Sequence, residues 1–191
     1  MKVVHIKEGP QRDACLAKLC AEIYGRSAGL SPLVLFTGVN EVWFQVDSAR
    51  LWALVGRGGE IQALALLVLD EHGEGVTLLH ACSLTGASDG SDPKQRLITE
   101  LATKAPLRVD ANTVEGEAYY RQAGIRDWRD GEGGARIGLG PRHPAQKSQA
   151  LAATLTLDET AILRRFKHDV LAFDAQKQRF IQSLDAFPVT L

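Results

Sequence analysis

The stretch Leu84–Leu101 reads LTGASDGSDPKQRLITEL and places small residues, two aspartates, a lysine and an arginine where a strand gives way to a helix. Such a junction can hold a phosphate, because the first amides of a helix lack partners and the helix dipole favours an anion. Gly86, Ala87, Ser88, Gly90 and Ser91 are small enough to let a nest of amides form. Asp89 and Asp92 oppose that use. A carboxylate at the helix cap takes up the same amides and repels a phosphate, and Pro93 removes one N–H. The loop would hold a phosphate only if Lys94, Arg96 or a metal compensates for the two acids. The loop therefore either cradles an anionic group or serves as a turn before a well-capped helix. Immediately before it, VTLLHACSL puts His80 and Cys82 two apart, on one face of a regular strand. His80 has the intrinsic pKa of a general base, although a histidine in an apolar run is also a common satisfied sheet residue. A thiol–imidazole nucleophile is disfavoured, since side chains two apart along a strand lie roughly 6–7 Å from one another and no acid stands by to orient the ring.

These residues sit in a chain of 191 residues with a net charge of −1, 45% apolar and 24% charged. That length buries a sizeable core without disulfides. Near-neutral charge does not favour a broad basic surface for nucleic acid. No apolar run approaches the roughly 18 residues that span a bilayer, and MKVVHIKEGP begins like a strand rather than a signal peptide. A cytoplasmic protein is expected. Cys15, Cys20 and Cys82 make an odd count without C-x-x-C spacing, which argues against a disulfide framework and a zinc site. Cys15 and Cys20 read as small apolar residues on one helix.

The elements that must position this chemistry follow from periodicity. Val3–Lys7 reads as a strand, and Pro10 opens a helix to Tyr24 with Cys15, Leu16, Leu19, Cys20 and Ile23 on one face. Leu33–Phe36 is apolar but short, and Asn40–Asp47 is ambiguous between strand and helix turn. LWALVGR, EIQALALLVLDEHG and VTLLHACSL read as three consecutive antiparallel strands joined at Gly58-Gly59 and Gly73–Gly75. The run Ala63–Leu69 is apolar throughout, so both of its faces are expected to be covered. A helix over Pro93–Lys104 follows, capped by Asp92 and stopped by Pro106. Then come a strand over Leu107–Ala111, a helix over Val114–Ala123 ended by Gly124, and strands at Ile125–Trp128 and Ala135–Leu139. PRHPAQKSQ has linker chemistry. A last helix is expected from Asp158, with Thr156 and Glu159 spaced like a capping box. Its seam is Leu163, Phe166, Val170, Phe173, Lys177, Phe180 and Leu184. The implied division is 1–140, a linker over 141–157 and a C-terminal helix over 158–187. That helix either packs on its own domain or forms a homodimer or partner surface.

The order of elements over Met1–Gly140, and two motifs within Leu51–Ile125, resemble the GNAT superfamily of N-acetyltransferases. The first motif is NTVEGEAYYRQAGI, Asn112–Ile125, similar to the family's Asn after the fifth strand and its Tyr shortly before Gly-Phe, here Tyr120 and Gly124-Ile125. The second is VTLLHACSL with the following loop and RLITELATKA, similar to the family's fourth strand, pyrophosphate loop and third helix. The loop itself departs from the family's glycine pattern: Gly90 falls near a family glycine, and Asp89 stands where a Gln or Arg would. The resemblance implies an α/β fold with a mostly antiparallel mixed sheet, splayed after the fourth strand, helices on both faces and an added C-terminal helix. It implies an acyl-CoA-dependent N-acyltransferase that uses acetyl-CoA and an amine acceptor by direct attack. Tyr120 would be the general acid and His80 the base, with Glu41 or water as a substitute. Ser83 and Leu84 would pair with the pantetheine arm, Gly90, Ser91 and Lys94 would meet the pyrophosphate, and Asn112 would bond the coenzyme. The alternative is a GNAT-like binding or assembly module that has lost coenzyme binding and acts through its last helix.

Overall fold

The computed structural model describes residues 1–7, 9–25, 27–84, 92–145 and 150–191. Seven strands form one sheet: β1 (Lys2–Ile6), β2 (Ala49–Val55), β3 (Ile61–Leu69), β4 (Val76–Ser83), β5 (Leu107–Ala111), β6 (Asp127–Asp130) and β7 (Arg136–Leu139). Their spatial order is β1-β2-β3-β4-β5-β7-β6. Every neighbouring pair is antiparallel except β4 and β5. Those two are joined by α3 (Pro93–Lys104), as a parallel pair requires a crossover. The other helices are α1 (Pro10–Tyr24), α2 (Ser31–Gly38), α4 (Val114–Gln122), α5 (Glu159–His168) and α6 (Val170–Asp185). The expected mixed α/β fold, with helices on both faces of an open sheet, is the one observed.

The apolar run of β3 is covered on both sides, as its composition requires. Leu64, Leu66 and Val68 join Leu51, Ala53 and Val55 of β2 beneath α1. Ala63, Ala65 and Leu67 face the other way and meet Leu97, Ile98 and Leu101 of α3. Cys15 and Cys20 are fully buried in α1, and burial pushes the Cys15 thiol up to about 12. They act as small core residues.

Two segments depart from their sequence reading. Ser31–Gly38 is a helix that runs on into a π-helical turn over Val39–Trp43, where only a short apolar run and an ambiguous stretch were readable. The single helix expected over 158–187 is two helices. Asp169 takes extended backbone and caps α6 by accepting from Ala172 N at 2.9 Å, while Asp158, not Thr156, caps α5 by accepting from Ala161 N at 2.8 Å. Most of the seam is spent within the chain. Phe166 is buried beside Leu33 and Val34, Phe173 stacks edge-on against Phe166, and Phe180 meets Phe36 with ring centroids 5.2 Å apart. Arg179 pairs with Asp13 at 2.7 Å and Arg165 with Glu41 at 2.7 Å, which pins both helices to α1 and to the π-helical turn. The stretch before them is laid along the end of β3, with Leu155 N donating to Leu69 O and Glu71 N to Ala153 O.

Candidate functional site

The site begins with an irregularity in β4. Leu66 pairs with His80 and Leu67 with Leu78, so Leu79 is an extra residue without a partner on β3. A bulge of this kind bends its strand and sharpens the local twist. On its other side β4 pairs with β5 only at Val76–Leu107 and Thr77–Arg108, before the bulge. Beyond it the two strands part. The gap is a cavity of about 240 Å3 between the Leu78–Ala81 segment, Lys94 and Ile98 of α3, and Gly116, Tyr119 and Tyr120 of α4. The peptide groups on that side of β4 are left unpaired by the sheet. Leu84 N donates to Gln62 O of the β3 side, so by strand alternation the peptide groups of Ala81 and Ser83 point toward the opened side. Of the expected backbone pair, Ser83 is directed to the gap, whereas the Leu84 N–H is already used within the sheet.

The start of α3 closes one end of the gap. Asp92 caps the helix, accepting from Lys94 N at 3.0 Å. Its carboxylate also accepts from the Ser83 hydroxyl at 2.9 Å and from the Tyr119 hydroxyl at 2.6 Å. Burial pushes the Asp92 carboxyl up, but the hydrogen bonds from Tyr119, Ser83 and the Lys94 and Gln95 amides outweigh it and hold the group below its ordinary value. The Lys94 ammonium lies 4.6 Å from the centre of the Tyr119 ring, a cation–π contact at the edge of the cavity. A carboxylate from the chain itself thus occupies the donors that a bound anion would seek. Gly90 and Ser91, expected at the phosphate end, and Asp89 lie outside the described residues.

His80 is among the residues that line the cavity, and its ring lies 6.0 Å from that of Tyr24 of α1 in an edge-on contact. Burial alone lowers its pKa, so the ring is neutral near pH 7 and carries a lone pair for a proton. Cys82 packs with Leu79 toward the α1 face. Its thiol is pushed up to about 11, by burial first, which leaves it protonated and consistent with the disfavoured nucleophile reading. Glu41 is engaged elsewhere in the fold. Gln176 donates to one of its oxygens at 2.6 Å and Arg165 pairs with the other.

Tyr119 and Tyr120 stand side by side on α4, their rings edge-on at 5.7 Å. The Tyr119 hydroxyl is committed to Asp92, whereas that of Tyr120 has no hydrogen-bond partner among the described residues. Burial raises the Tyr120 pKa and the charge of Asp110 raises it further, so the phenol keeps its proton at neutral pH. Asn112 is exposed and precedes Thr113, whose hydroxyl caps α4 by accepting from Gly116 N at 3.0 Å. Trp128 lines no part of this cavity, and its indole donates to Ile125 O at 3.0 Å.

Sequence reasoning did not single out Tyr119, or Gly116, which keeps the first turn of α4 close to the sheet. A Cβ added at Gly116 would lie 3.3 Å from the Thr113 hydroxyl. The available signal was the pair Tyr119-Tyr120 on a helix facing a strand end. Choosing between the two hydroxyls needs the position of Asp92.

No family profile matches the sequence, and no curated protein does. Solved structures do. An aminoglycoside 6'-acetyltransferase type Ii is 13% identical and aligns over 76% of this chain and 99% of its own, with a TM-score of 0.50. The aminoglycoside 6'-N-acetyltransferase from Enterococcus faecium is 12% identical over 78% of this chain and 100% of its own, with a TM-score of 0.50. A Corynebacterium glutamicum structure described as histone acetyltransferase HPA2 and related acetyltransferase is 10% identical over 78% of this chain and 100% of its own, with a TM-score of 0.51. At these identities the likeness is one of fold. With its bulged fourth strand and the parting of β4 from β5, the chain has the fold of the GNAT-superfamily N-acetyltransferases.

Proposed function

We propose that the protein is an acyl-CoA-dependent N-acyltransferase that passes an acetyl group from acetyl-CoA to an amine by direct attack. The observation that carries this reading is the open cleft between β4 and β5, lined by a tyrosine whose hydroxyl is uncommitted and by a neutral histidine. In the reaction the amine nitrogen bonds to the thioester carbon, the carbon–sulfur bond breaks, the amine gives up a proton and the sulfur receives one. His80 is suited to take the first proton and Tyr120 to give the second. The unpaired peptide groups of Ala81 and Ser83 suit a polar, extended arm lying along β4 as an added strand would. Lys94, at the cavity edge, suits an anionic end, and Asn112 lies at the mouth of α4.

One observation favours a second reading. Asp92 already fills the anion-binding end of α3 with four donors, so the protein would be a GNAT-like module whose coenzyme site is closed by its own carboxylate. Its work would then be assembly through the C-terminal helices, where Val170 and Leu171 are 64% and 83% exposed.

Calorimetric titration of acetyl-CoA separates the two, with Asp92→Ala and Tyr120→Phe alongside. Micromolar binding to the wild type, kept in Tyr120→Phe, supports the transferase. No binding to the wild type but binding to Asp92→Ala replaces it with the closed module. No binding to either removes both coenzyme readings.

A further inference from the structure

A second cavity, of about 480 Å3, opens at the β1 edge of the sheet and shares no lining residue with the cleft. Strands β2 and β3 stand between it and β4. Its floor is apolar, made by Ile6 and Leu51, and its walls carry Lys7, Arg12, Arg50 and Asp47.

Among the described residues the charges there do not cancel. Arg50 is paired: it forks onto the Asp47 carboxylate at 2.7 and 2.9 Å and also bonds the Asp47 and Ala49 carbonyls. That pair neutralises itself and consumes the one acid of the wall among the described residues. Asp13, a helix neighbour of Arg12, is drawn off by Arg179. Arg12 has no acidic partner among the described residues. Its guanidinium lies 4.1 Å above the Phe44 ring and donates from one terminal nitrogen to Lys7 O at 2.8 Å, while its Nε is buried without a hydrogen-bond partner. Lys7 likewise has no acidic partner among the described residues. Two cations, one of them stacked and held in place, therefore line a metabolite-sized hollow without an acidic partner among the described residues. His5 on the same wall senses this: burial lowers its pKa first, then the charges of Arg50 and Lys7.

We propose that this cavity is a binding site for the phosphate group of a small ligand, clasped by the Arg12 guanidinium and the Lys7 ammonium. The charge decides between oxyanions. A phosphate monoester carries roughly −1.5 to −2 at neutral pH, which matches two cations that have no acidic partner among the described residues, whereas a carboxylate answers only one. The guanidinium edge offers parallel donors to phosphate oxygens. Phe44 and the Ile6–Leu51 floor suit the apolar body of such a ligand, and the hollow lies within the range of small-molecule sites. The site is independent of the acyl-transfer reading.

The test titrates inorganic phosphate and phenyl phosphate into the full-length protein at constant ionic strength, with acetate as the carboxylate arm. Binding is followed by calorimetry and by the arginine side-chain 15Nε resonances. Saturable movement of the Arg12 resonance is expected, with affinity at least tenfold lower in Arg12→Gln, several-fold lower in Lys7→Gln, unchanged in Lys94→Gln, and at least tenfold lower for acetate. If Arg12→Gln does not fold, the wild-type resonance and Lys7→Gln carry the result. The proposal is overturned if the Arg12 resonance stays still, if Lys7→Gln binds like the wild type, if acetate binds as well as phosphate, or if Lys94→Gln is the change that abolishes binding.

Discussion

The Tyr119 hydroxyl donates to Asp92 Oδ2 at 2.6 Å, which ties α4 to the cap of α3 across the mouth of the β4–β5 cleft. The same carboxylate holds the Ser83 hydroxyl at the end of β4. One acidic side chain thus joins three elements that border the cleft.

Replacing Asp92 by Asn should cost about 1–2 kcal/mol in denaturant unfolding at neutral pH, through a weakened cap and weakened hydroxyl bonds. The gap should depend on pH with a definite sign. A carboxyl held below its ordinary value contributes stability that is complete above its unfolded pKa of about 3.9 and is lost as pH falls through the lower folded value. Wild type and Asp92→Asn should therefore differ by a constant amount above about pH 5 and converge in stronger acid. A gap unchanged in strong acid would mean that the effect is not carried by the charge.

Tyr119→Phe should raise the Asp92 carboxyl pKa, measurable by side-chain NMR titration, and cost about 1 kcal/mol. Tyr120→Phe should leave the Asp92 titration where it is, since the Tyr120 hydroxyl makes no bond to it. Equal effects of the two changes would contradict the assignment of the hydroxyls.

His80 is held neutral by burial, so its folded pKa lies below the unfolded value of about 6.5. Its contribution to stability is complete above that value and is lost as pH falls through the folded one. His5 and His143 shift the same way, so the quantity to measure is the difference between wild type and His80→Gln. That difference should shrink from pH 7 downward. Under the transferase reading, His80→Gln should also lower kcat/KM by about 100-fold and flatten its rise toward neutral pH.

Phe180→Ala should loosen α6 from α1 and α2. Phe180 is half-buried against Phe36, so a loss of about 2–3 kcal/mol is expected, below the range for a fully buried phenylalanine. Hydrogen exchange should rise in α6 before it rises in β3.

Leu171→Asp should leave stability within about 0.5 kcal/mol, since the side chain is 83% exposed. If the C-terminal helices join two copies of the chain, light scattering should show the mass halved. An unchanged mass removes this face from the assembly reading.

The strands β2–β4 and helices α1 and α3 were legible because their signals are local. Alternation in LWALVGR, an unbroken apolar run in ALALLVL, and Asp92-Pro93 at a helix start each act over a few residues. Ser31–Gly38 carries no such local signal, because six of its eight residues are buried and a helix wrapped in core has no polar face to show its period. Of the seam of the last helix, Phe166, Phe173, Phe180 and Leu184 pack within the chain while Leu163 and Val170 stay exposed, and the interruption at Asp169 and the docking on α1 and α2 depend on surfaces far away in the chain. The cleft is the clearest case. Nothing in VTLLHACSL marks Leu79 as the residue left out of the ladder; that follows from the register against β3, and the register in turn decides where β4 and β5 part. The aspartate at the loop's end was visible as a threat to phosphate binding. That it is answered by Tyr119 and Ser83, rather than by solvent or a ligand, rests on how α4 packs beside α3. Local composition decides which segments become helix or strand, because propensity and amphipathic period act over one or two turns. The pairing of donors with acceptors across the site is a long-range matter, decided when the sheet register and the helix packing bring distant residues together.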